Sequence, residues 1–177
     1  MLHTPEQQQI DHFVDGIKSG FGPRGLWVHG PRQSGTTTYA RRVAEAVYSA
    51  GCYDLDMSEG CLITATALSD LQRKVWTQED LMRSNSHDMA LWQETQALVS
   101  RWEDVWDANV LMIDDLISVD TEFWKKHLLA RIDQRLKGKG VTLLAGVIAP
   151  SWFGPDWGTG FSRLCTVIRL RGEHGEG

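Results

Sequence analysis

The sequence lacks the features that mark membrane, secreted and strongly nucleic-acid-attracting proteins. Its longest apolar run, 141–149, is too short to span a bilayer, and its polar first residues lack the apolar stretch of a secretion signal. The net charge of −5 argues against a protein that binds nucleic acid through bulk electrostatics alone. We expect free thiols in a reducing cytoplasm, because no metal-ligand spacing relates the three cysteines, Cys52, Cys61 and Cys165.

What the sequence does contain is typical of one globular domain. Hydrophobic residues make up 42% and charged residues 23%, which are ordinary values for a folded chain. A chain of 177 residues is long enough to bury a full-sized core. We therefore expect a single domain over 1–177, with an N-terminal helix in 1–20 and a frayed tail at 172–177.

The segment 30–37 has the frame of a phosphate-binding P-loop, G-x-x-x-x-G-K-[ST]. An apolar run precedes it and a helical pattern follows it, which is the context that the motif requires. Backbone N–H groups of such a loop surround phosphates, and the helix N-terminus adds positive potential. Thr37 stands where a hydroxyl ligates Mg²⁺. The predicted nucleotide-binding residues are Gly30, Pro31, Arg32, Gln33, Ser34, Gly35, Thr36, Thr37 and Thr38.

Thr36 occupies the place of the P-loop lysine. Losing a buried charge contact to an anion costs about 2–5 kcal/mol, and losing a transition-state donor costs about 10²–10³ in rate. Arg32 and Arg41 are candidates to supply the charge, although nothing in the sequence places them on a phosphate. The alternative is a glycine-rich turn between strand and helix that binds no ligand.

A second motif is the apolar run Val110–Ile113, which ends in the paired acids Asp114 and Asp115. Such a run is typical of a buried parallel strand, and ligands bind at the carboxyl ends of parallel strands. We expect Asp114 to hold Mg²⁺ through water, and Asp115 to orient or deprotonate the attacking water. The alternative is an ordinary strand end followed by an acidic turn.

The alternation of strand and helix patterns predicts an α/β fold with a five-stranded parallel sheet flanked by helices. Two helical segments separate the second and third strands, so the third strand need not lie beside the first. This favours a P-loop NTPase fold with a strand between the two motif strands and no separate lid domain. The predicted strands are 25–29, 61–65, 109–113, 141–147 and 165–170. The first predicted helix lies within 1–20, with Thr4 as its cap and Pro5 in its first turn. The other predicted helices are 36–50, 69–76, a short one capped by 77–80, 88–106 and 120–138.

The eight tryptophans divide into two groups. Those at helical spacing are expected to anchor the core: Trp92, Trp102, Trp106 and Trp124. Trp152 and Trp157 fall in a turn-rich loop, 151–158, where two interpretations stay open. They pack against the domain, or they are exposed and contact a partner or stack on bases.

The order of these motifs resembles that of the AAA+ ATPases of the bacterial helicase-loader group, the DnaC-type loaders and the related IstB transposition helpers. An amphipathic helix leads directly into the P-loop strand, and the motif strand ends in Ile113-Asp114-Asp115-Leu116, as in that group. Phe161-Ser162-Arg163-Leu164 is similar to the Ser-Arg-Leu segment of the group, and 65–71 is similar to its stretch after the second strand. The resemblance spans 5–171.

The resemblance implies specific roles and partners. Arg163 would be an arginine finger acting on the nucleotide of a neighbouring subunit, which implies a homo-oligomer; the alternative is a surface arginine before a strand. The extra helices would line a channel for single-stranded DNA, with Arg73, Lys74 and Arg83 as candidate phosphate contacts; the alternative is solvated helix charges. ATP or ADP with Mg²⁺ would be bound, and a replicative DNA helicase would be the protein partner.

Departures from the family keep other functions open, and one of them is that no arginine-bearing segment similar to the second sensor of the family is expected after the fifth strand. Thr36 replaces the lysine, and the strand 142–147 lacks the polar sensor residue expected near its end. The first hypothesis is a helicase-loader-like ATPase of DNA replication, cytoplasmic and, given its small size, phage-encoded. The second is a pseudo-ATPase that recruits or blocks a helicase without turnover. The third is a small P-loop kinase, for which the sequence offers no convincing lid.

Overall fold

The computed structural model describes residues 4–52, 60–85, 87–117 and 119–172. Every described strand belongs to one parallel sheet. Its strands are β1 Gly25–His29, β2 Gly60–Thr64, β3 Val110–Leu116, β4 Val141–Gly146 and β5 Cys165–Arg169. They lie side by side in the order β2-β3-β4-β1-β5, so β4 separates the two motif strands as the sequence predicted. Most of the tail expected to fray, 173–177, lies outside the described residues.

The helices cover both faces of the sheet. They are α1 Pro5–Ser19, α2 Thr36–Ser49, α3 Ala65–Ser84, α4 Met89–Asp107, α5 Thr121–His127, α6 Leu129–Leu136 and α7 Pro155–Leu164, with a 3-10 turn at Pro150–Phe153. Helix α1 begins as predicted, since the Thr4 hydroxyl accepts a hydrogen bond from the backbone N–H of Gln7 at 3.2 Å. Among the described residues, no separate lid domain stands apart from the sheet and its helices.

Several local predictions are wrong for identifiable reasons. Helix α3 begins at Ala65 rather than at Ser69, because the Thr64 hydroxyl accepts a hydrogen bond from the backbone N–H of Ala67 and caps the helix there. Thr77 does not begin a new helix, because its hydroxyl donates back to the carbonyl of Arg73 at 3.0 Å and α3 continues through it. The helix expected over 120–138 divides at Leu128 into α5 and α6. The segment 151–158 is not an irregular loop, because the 3-10 turn passes at once into α7.

The core has two layers, one on each face of the sheet. The alternation along β1 divides them, because Leu26 and Val28 face α1 and α2 while Trp27 faces α7. The Trp27 ring packs between Phe153 and Phe161, and its Nε1 donates to the carbonyl of Ile148 at 2.7 Å. This contact fixes the chain just after β4 beside the strand that leads into the P-loop segment.

The tryptophan prediction is confirmed for three of its four residues. Trp102, Trp106 and Trp124 are buried, and the Trp124 Nε1 donates to the Ser69 hydroxyl at 3.0 Å. Trp92 is 46% exposed, so its prediction as a core anchor is wrong. The reason is that the first buried residue of α4 comes one turn later.

Arg135 joins the elements at the amino-terminal edge of the sheet. Its guanidinium donates to the carbonyls of Trp106 and Ala108, to that of Val141 at 3.1 Å, and to the Thr142 hydroxyl at 3.0 Å. A cation at the last carbonyls of α4 is also favoured by the helix dipole. One side chain therefore holds the end of α4 against the start of β4.

Within the ranges described above, no helix is both long and apolar enough to cross a membrane.

Candidate functional site

The P-loop segment leaves the carboxyl end of β1 and turns into α2 at Thr36. Two of its residues have a left-handed backbone, Gln33 with φ 67° and Gly35 with φ 82°. The N–H of Ser34 donates to the carbonyl of Pro31 at 3.1 Å, which closes the first turn of the loop. Alternation of right- and left-handed backbone directs successive N–H groups toward one side, which makes a concave anion site.

Gly30 is required by close packing at the start of this loop. A Cβ at this position would lie 2.5 Å from the Ser34 hydroxyl oxygen and 2.7 Å from the carbonyl oxygen of Leu170. The N–H of Gly30 donates to the carbonyl of Gly146 at 3.1 Å. The beginning of the loop is therefore held by the ends of both strands that flank β1.

The N-terminus of α2 has no side-chain cap, since Gly35 is its N-cap residue. The first N–H groups of a helix have no partner inside the helix. The described helices that are longer than α2 each begin with a capping side chain, from Thr4, Thr64 and Asp88. In addition, the Ser34 hydroxyl is buried without a hydrogen-bond partner. Several donors therefore meet at one point of the loop without a described acceptor.

The two motifs meet in one hydrogen bond. The Thr37 hydroxyl donates to Oδ1 of Asp114 at 2.9 Å, across a sequence separation of 77 residues. Asp114 is 8% exposed at the end of β3, and Thr37 lies in the first turn of α2. The fold thus places the two predicted metal ligands against each other. Both can offer oxygen atoms, which Mg²⁺ prefers.

Asp115 differs from its neighbour because β3 contains a bulge. The register passes from Ile113 opposite Leu144 to Leu116 opposite Gly146, which leaves two residues of β3 facing one of β4. Asp115 has φ 61° and is exposed. Adjacent carboxylates therefore point into different surroundings, one toward Thr37 and the other toward solvent.

Sequence reasoning missed this bulge, although one signal for it was present. Gly146 has φ 158°, and a Cβ there would lie 2.5 Å from the backbone nitrogen of Leu116. A glycine at the end of a buried apolar strand indicates close approach of a neighbouring backbone. The next residue, Val147, is apolar and 38% exposed, so no polar side chain follows β4 at this point.

The arginines near the P-loop segment differ in whether they form ion pairs with acidic residues. Arg32 is exposed within the P-loop segment, and Arg41 is exposed on α2 one turn after Thr37. Neither forms an ion pair with any residue in the described part of the chain. Arg42 is committed elsewhere, since it pairs with Glu6 at 3.1 Å.

Arg163 lies near the amino-terminal ends of the strands, whereas the P-loop segment lies at their carboxyl ends. It is exposed in the last turn of α7, two residues before Cys165, which is in register with Gly25 at the start of β1. Five residue-to-residue steps along β1 separate Gly25 from Gly30, a distance of roughly 17 Å. An arginine side chain does not span that distance, so Arg163 does not reach the P-loop segment of its own chain.

The predicted DNA contacts lie on α3. Arg73 stacks over the Phe123 ring at 4.2 Å and forms ion pairs with Asp70 and Asp120 at 3.6 and 3.5 Å. Arg83 pairs with Asp80 at 3.2 Å, whereas Lys74 is exposed on the same helix. Two of the three cations therefore already have acidic partners within the chain.

A further feature beside the loop was not predicted from the sequence. A cleft of about 660 Å³ lies between the ends of β1, β4 and β5 and helix α7. Burial lowers the pKa of His29, which lines this cleft, and the charge of Arg169 lowers it further, so both favour the neutral imidazole. The cleft is lined by His29, Gly30, Pro31, Val147, Ala149, Pro150, Ser151, Ser162, Val167 and Arg169.

The strand order and the position of the P-loop segment together define the class of fold. A parallel sheet in the order β2-β3-β4-β1-β5, with a P-loop segment after β1 and an acidic end on β3, is the P-loop NTPase fold of the AAA+ type. The fold class expected from the sequence is therefore confirmed. No family model matches the chain, and no curated protein matches it in sequence.

Two solved structures carry this assignment of the fold. The chain is similar to the crystal structure of the DnaC helicase loader, with a TM-score of 0.50 and 15% identity over 96% of this chain and 93% of that one. It is also similar to domain III of the Thermotoga maritima replication initiation protein DnaA, with a TM-score of 0.50 and 13% identity. That match covers 96% of this chain and 64% of the DnaA chain, which is less than two thirds of its length.

Proposed function

We propose that this chain is an AAA+ ATP-binding protein of DNA replication that acts on a replicative helicase, on single-stranded DNA, or on both, in the manner of a helicase loader. The observation that carries the proposal is the hydrogen bond between Thr37 and Asp114. It joins a phosphate-loop frame to an acidic strand end, the pair of features that a magnesium nucleotide requires. The similarity of the fold to those of DnaC and of DnaA domain III supports the same proposal.

The residues present fit a nucleotide with Mg²⁺, except at one position. The uncapped start of α2 and the unpartnered Ser34 hydroxyl suit phosphate oxygens. Thr37 and Asp114 would hold the metal, which when bound neutralises negative charge on the phosphates. Thr36 does not supply the cation of a complete P-loop. The segment is therefore a degenerate version of the phosphate-binding motif, in line with the resemblance to the DnaC and IstB group.

Hydrolysis would depend on Asp115. Its exposed carboxylate would accept a proton from water as the water oxygen attacks the γ-phosphorus, and the bond from phosphorus to the bridging oxygen of ADP would break. The bulge in β3 supports this assignment, because it frees Asp115 from the sheet while Asp114 stays beside Thr37. The two acids would then divide metal binding and water activation between them.

Arg163 supports a proposal of self-association. Because it lies at the edge of the sheet away from its own P-loop segment, it would act only on the nucleotide of another copy. The developing charge on a γ-phosphate is what such an arginine stabilises. The described strands all share one sheet, which supports the proposal of a single domain.

The test begins with calorimetric titration of ATP and ADP into the full chain, with and without Mg²⁺. We expect Mg²⁺-dependent binding that weakens by about tenfold or more in Thr37→Ala and Asp114→Ala, since each variant removes one oxygen ligand. Thr159→Ala, which alters an exposed threonine on α7, is the matched control. Phosphate release should rise when single-stranded DNA or a replicative helicase is added. Equal affinities in all three variants would contradict the proposed site.

A pseudo-ATPase is the second candidate, and two observations favour it. Thr36 removes the lysine that promotes phosphoryl transfer, and the exposed apolar Val147 stands where a polar sensor residue is expected. Such a protein would recruit or block a helicase without turnover. Helicase binding that persists in Thr37→Ala and Asp114→Ala would favour it, whereas loss of helicase binding with loss of nucleotide would favour the loader.

A further inference from the structure

The proposed site needs a cation that its own loop does not provide. Thr36 is uncharged, and a nucleotide brings several negative charges to the N-terminus of α2. Cations on neighbouring elements are therefore the place to look. Arg32 and Arg41 were considered from the sequence, but a third arginine is held beside the loop by the sheet itself.

Strand pairing places Arg169 at the start of the P-loop segment. In the parallel register of β1 and β5, Arg169 is the partner of His29, the last residue before Gly30. The N–H of Leu170 donates to the carbonyl of His29 at 2.8 Å, which fixes the carboxyl end of β5 there. The carbonyl oxygen of Leu170 is also what excludes a Cβ from Gly30. The backbone that carries Arg169 is thus in contact with the first residue of the loop.

The charge of Arg169 is not neutralised within the described part of the chain. It forms no ion pair with any described residue, whereas Arg42, Arg73, Arg83 and Arg131 each pair with an acid. The residues that line the cleft beside it include no acid. Its field reaches the end of β1, because it contributes to the lowered pKa of His29. An unpaired cation in an acid-free cleft next to a phosphate loop is suited to an anionic ligand.

We propose that Arg169 supplies the positive charge for the nucleotide phosphates that Thr36 does not. This assignment rests on the proposed function, because it names the cation of that same site. The guanidinium would approach the phosphates from the side of β5, through the cleft. An arginine suits this role because its planar fork presents several donors to phosphate oxygens at once.

A double-mutant cycle between Arg169 and Thr36 tests the inference. Arg169→Gln should weaken ATP binding by about tenfold or more in calorimetry, while Arg169→Lys should retain most of the affinity. Arg171→Gln removes the same type of charge two residues later, outside the cleft, and should change affinity by less than about threefold. Thr36→Lys should restore the affinity of Arg169→Gln, and its effect should be larger in that background than in the unaltered chain.

The outcomes separate failure of this inference from failure of the proposed function. If Arg169→Gln binds ATP as tightly as the unaltered chain while Thr37→Ala does not, the site stands and Arg169 is not its cation. If Arg169→Gln and Arg171→Gln weaken binding equally, the effect is a general field and the inference is wrong. If neither the unaltered chain nor Thr36→Lys binds nucleotide, both proposals are wrong. Thermal unfolding of each variant without ligand checks that the fold is retained, and Arg169→Met serves if the glutamine variant is unstable.

Discussion

The sharpest prediction is that Thr36→Lys converts a degenerate phosphate loop into a stronger nucleotide-binding loop. Thr36 is the first residue of α2, so the new ammonium would lie at the positive end of the helix dipole. In the free chain this should lower the free energy of unfolding by about 0.3–1 kcal/mol. With nucleotide bound, a desolvated charge contact contributes about 2–5 kcal/mol. We take the lower part of that range, because the adjoining cleft is open and solvent screens the contact.

The net expectation is that ATP binds about tenfold or more tightly, since each 1.4 kcal/mol corresponds to about tenfold in affinity. Calorimetry with ATP and Mg²⁺ measures the gain, and thermal unfolding without nucleotide measures the cost to the free chain. Ser49→Lys is the matched control, because it adds the same charge to an exposed position at the other end of the same helix. Unchanged ATP affinity in Thr36→Lys, or an equal gain in Ser49→Lys, would refute the idea that the loop still surrounds phosphates.

Other variants test the remaining parts of the structure. Asp115→Asn should slow phosphate release by about 10²-fold or more while ATP affinity stays within about threefold; loss of both together would contradict a role in water activation. Gly30→Ala should abolish nucleotide binding and lower Tm, because its Cβ would lie 2.7 Å from the carbonyl oxygen of Leu170. Arg135→Met should lower the free energy of unfolding in urea by about 3 kcal/mol without altering ATP affinity, since buried carbonyls lose their donors. Cys165 should resist thiol reagents at pH 8 in the folded chain, because burial raises its pKa to about 12; rapid labelling would contradict its burial.

Much of the fold could be predicted from the periodicity of apolar residues and from the residues that begin or end helices. Continuous apolar runs predicted the parallel strands, and the helix starts predicted near Pro5, Asp88 and Asp120 agree with the structure to within one residue. The errors arose where a local signal was overridden by packing. Thr77 follows a good helix pattern and turns its hydroxyl back onto α3, so its capping chemistry is not used.

The site was predictable in part, because its two motifs are contiguous in sequence. The spacing of glycines predicted where the loop leaves β1, and the apolar run predicted where β3 ends. The contact between Thr37 and Asp114 required the strand order, which periodicity alone does not determine. Arg169 was missed for the same reason, since it enters the site only through the pairing of β5 with β1.

The bulge in β3 and Gly146, which lies opposite it on β4, depend on each other structurally. Gly146 admits no side chain while Leu116 presses its backbone against it, and Leu116 occupies that place only because Asp115 loops outward. A side chain at Gly146 would displace the backbone of β3 at Leu116, and Asp115 would move with it. In diverging descendants of this chain, we therefore expect the acidic pair and the glycine to be kept together or abandoned together.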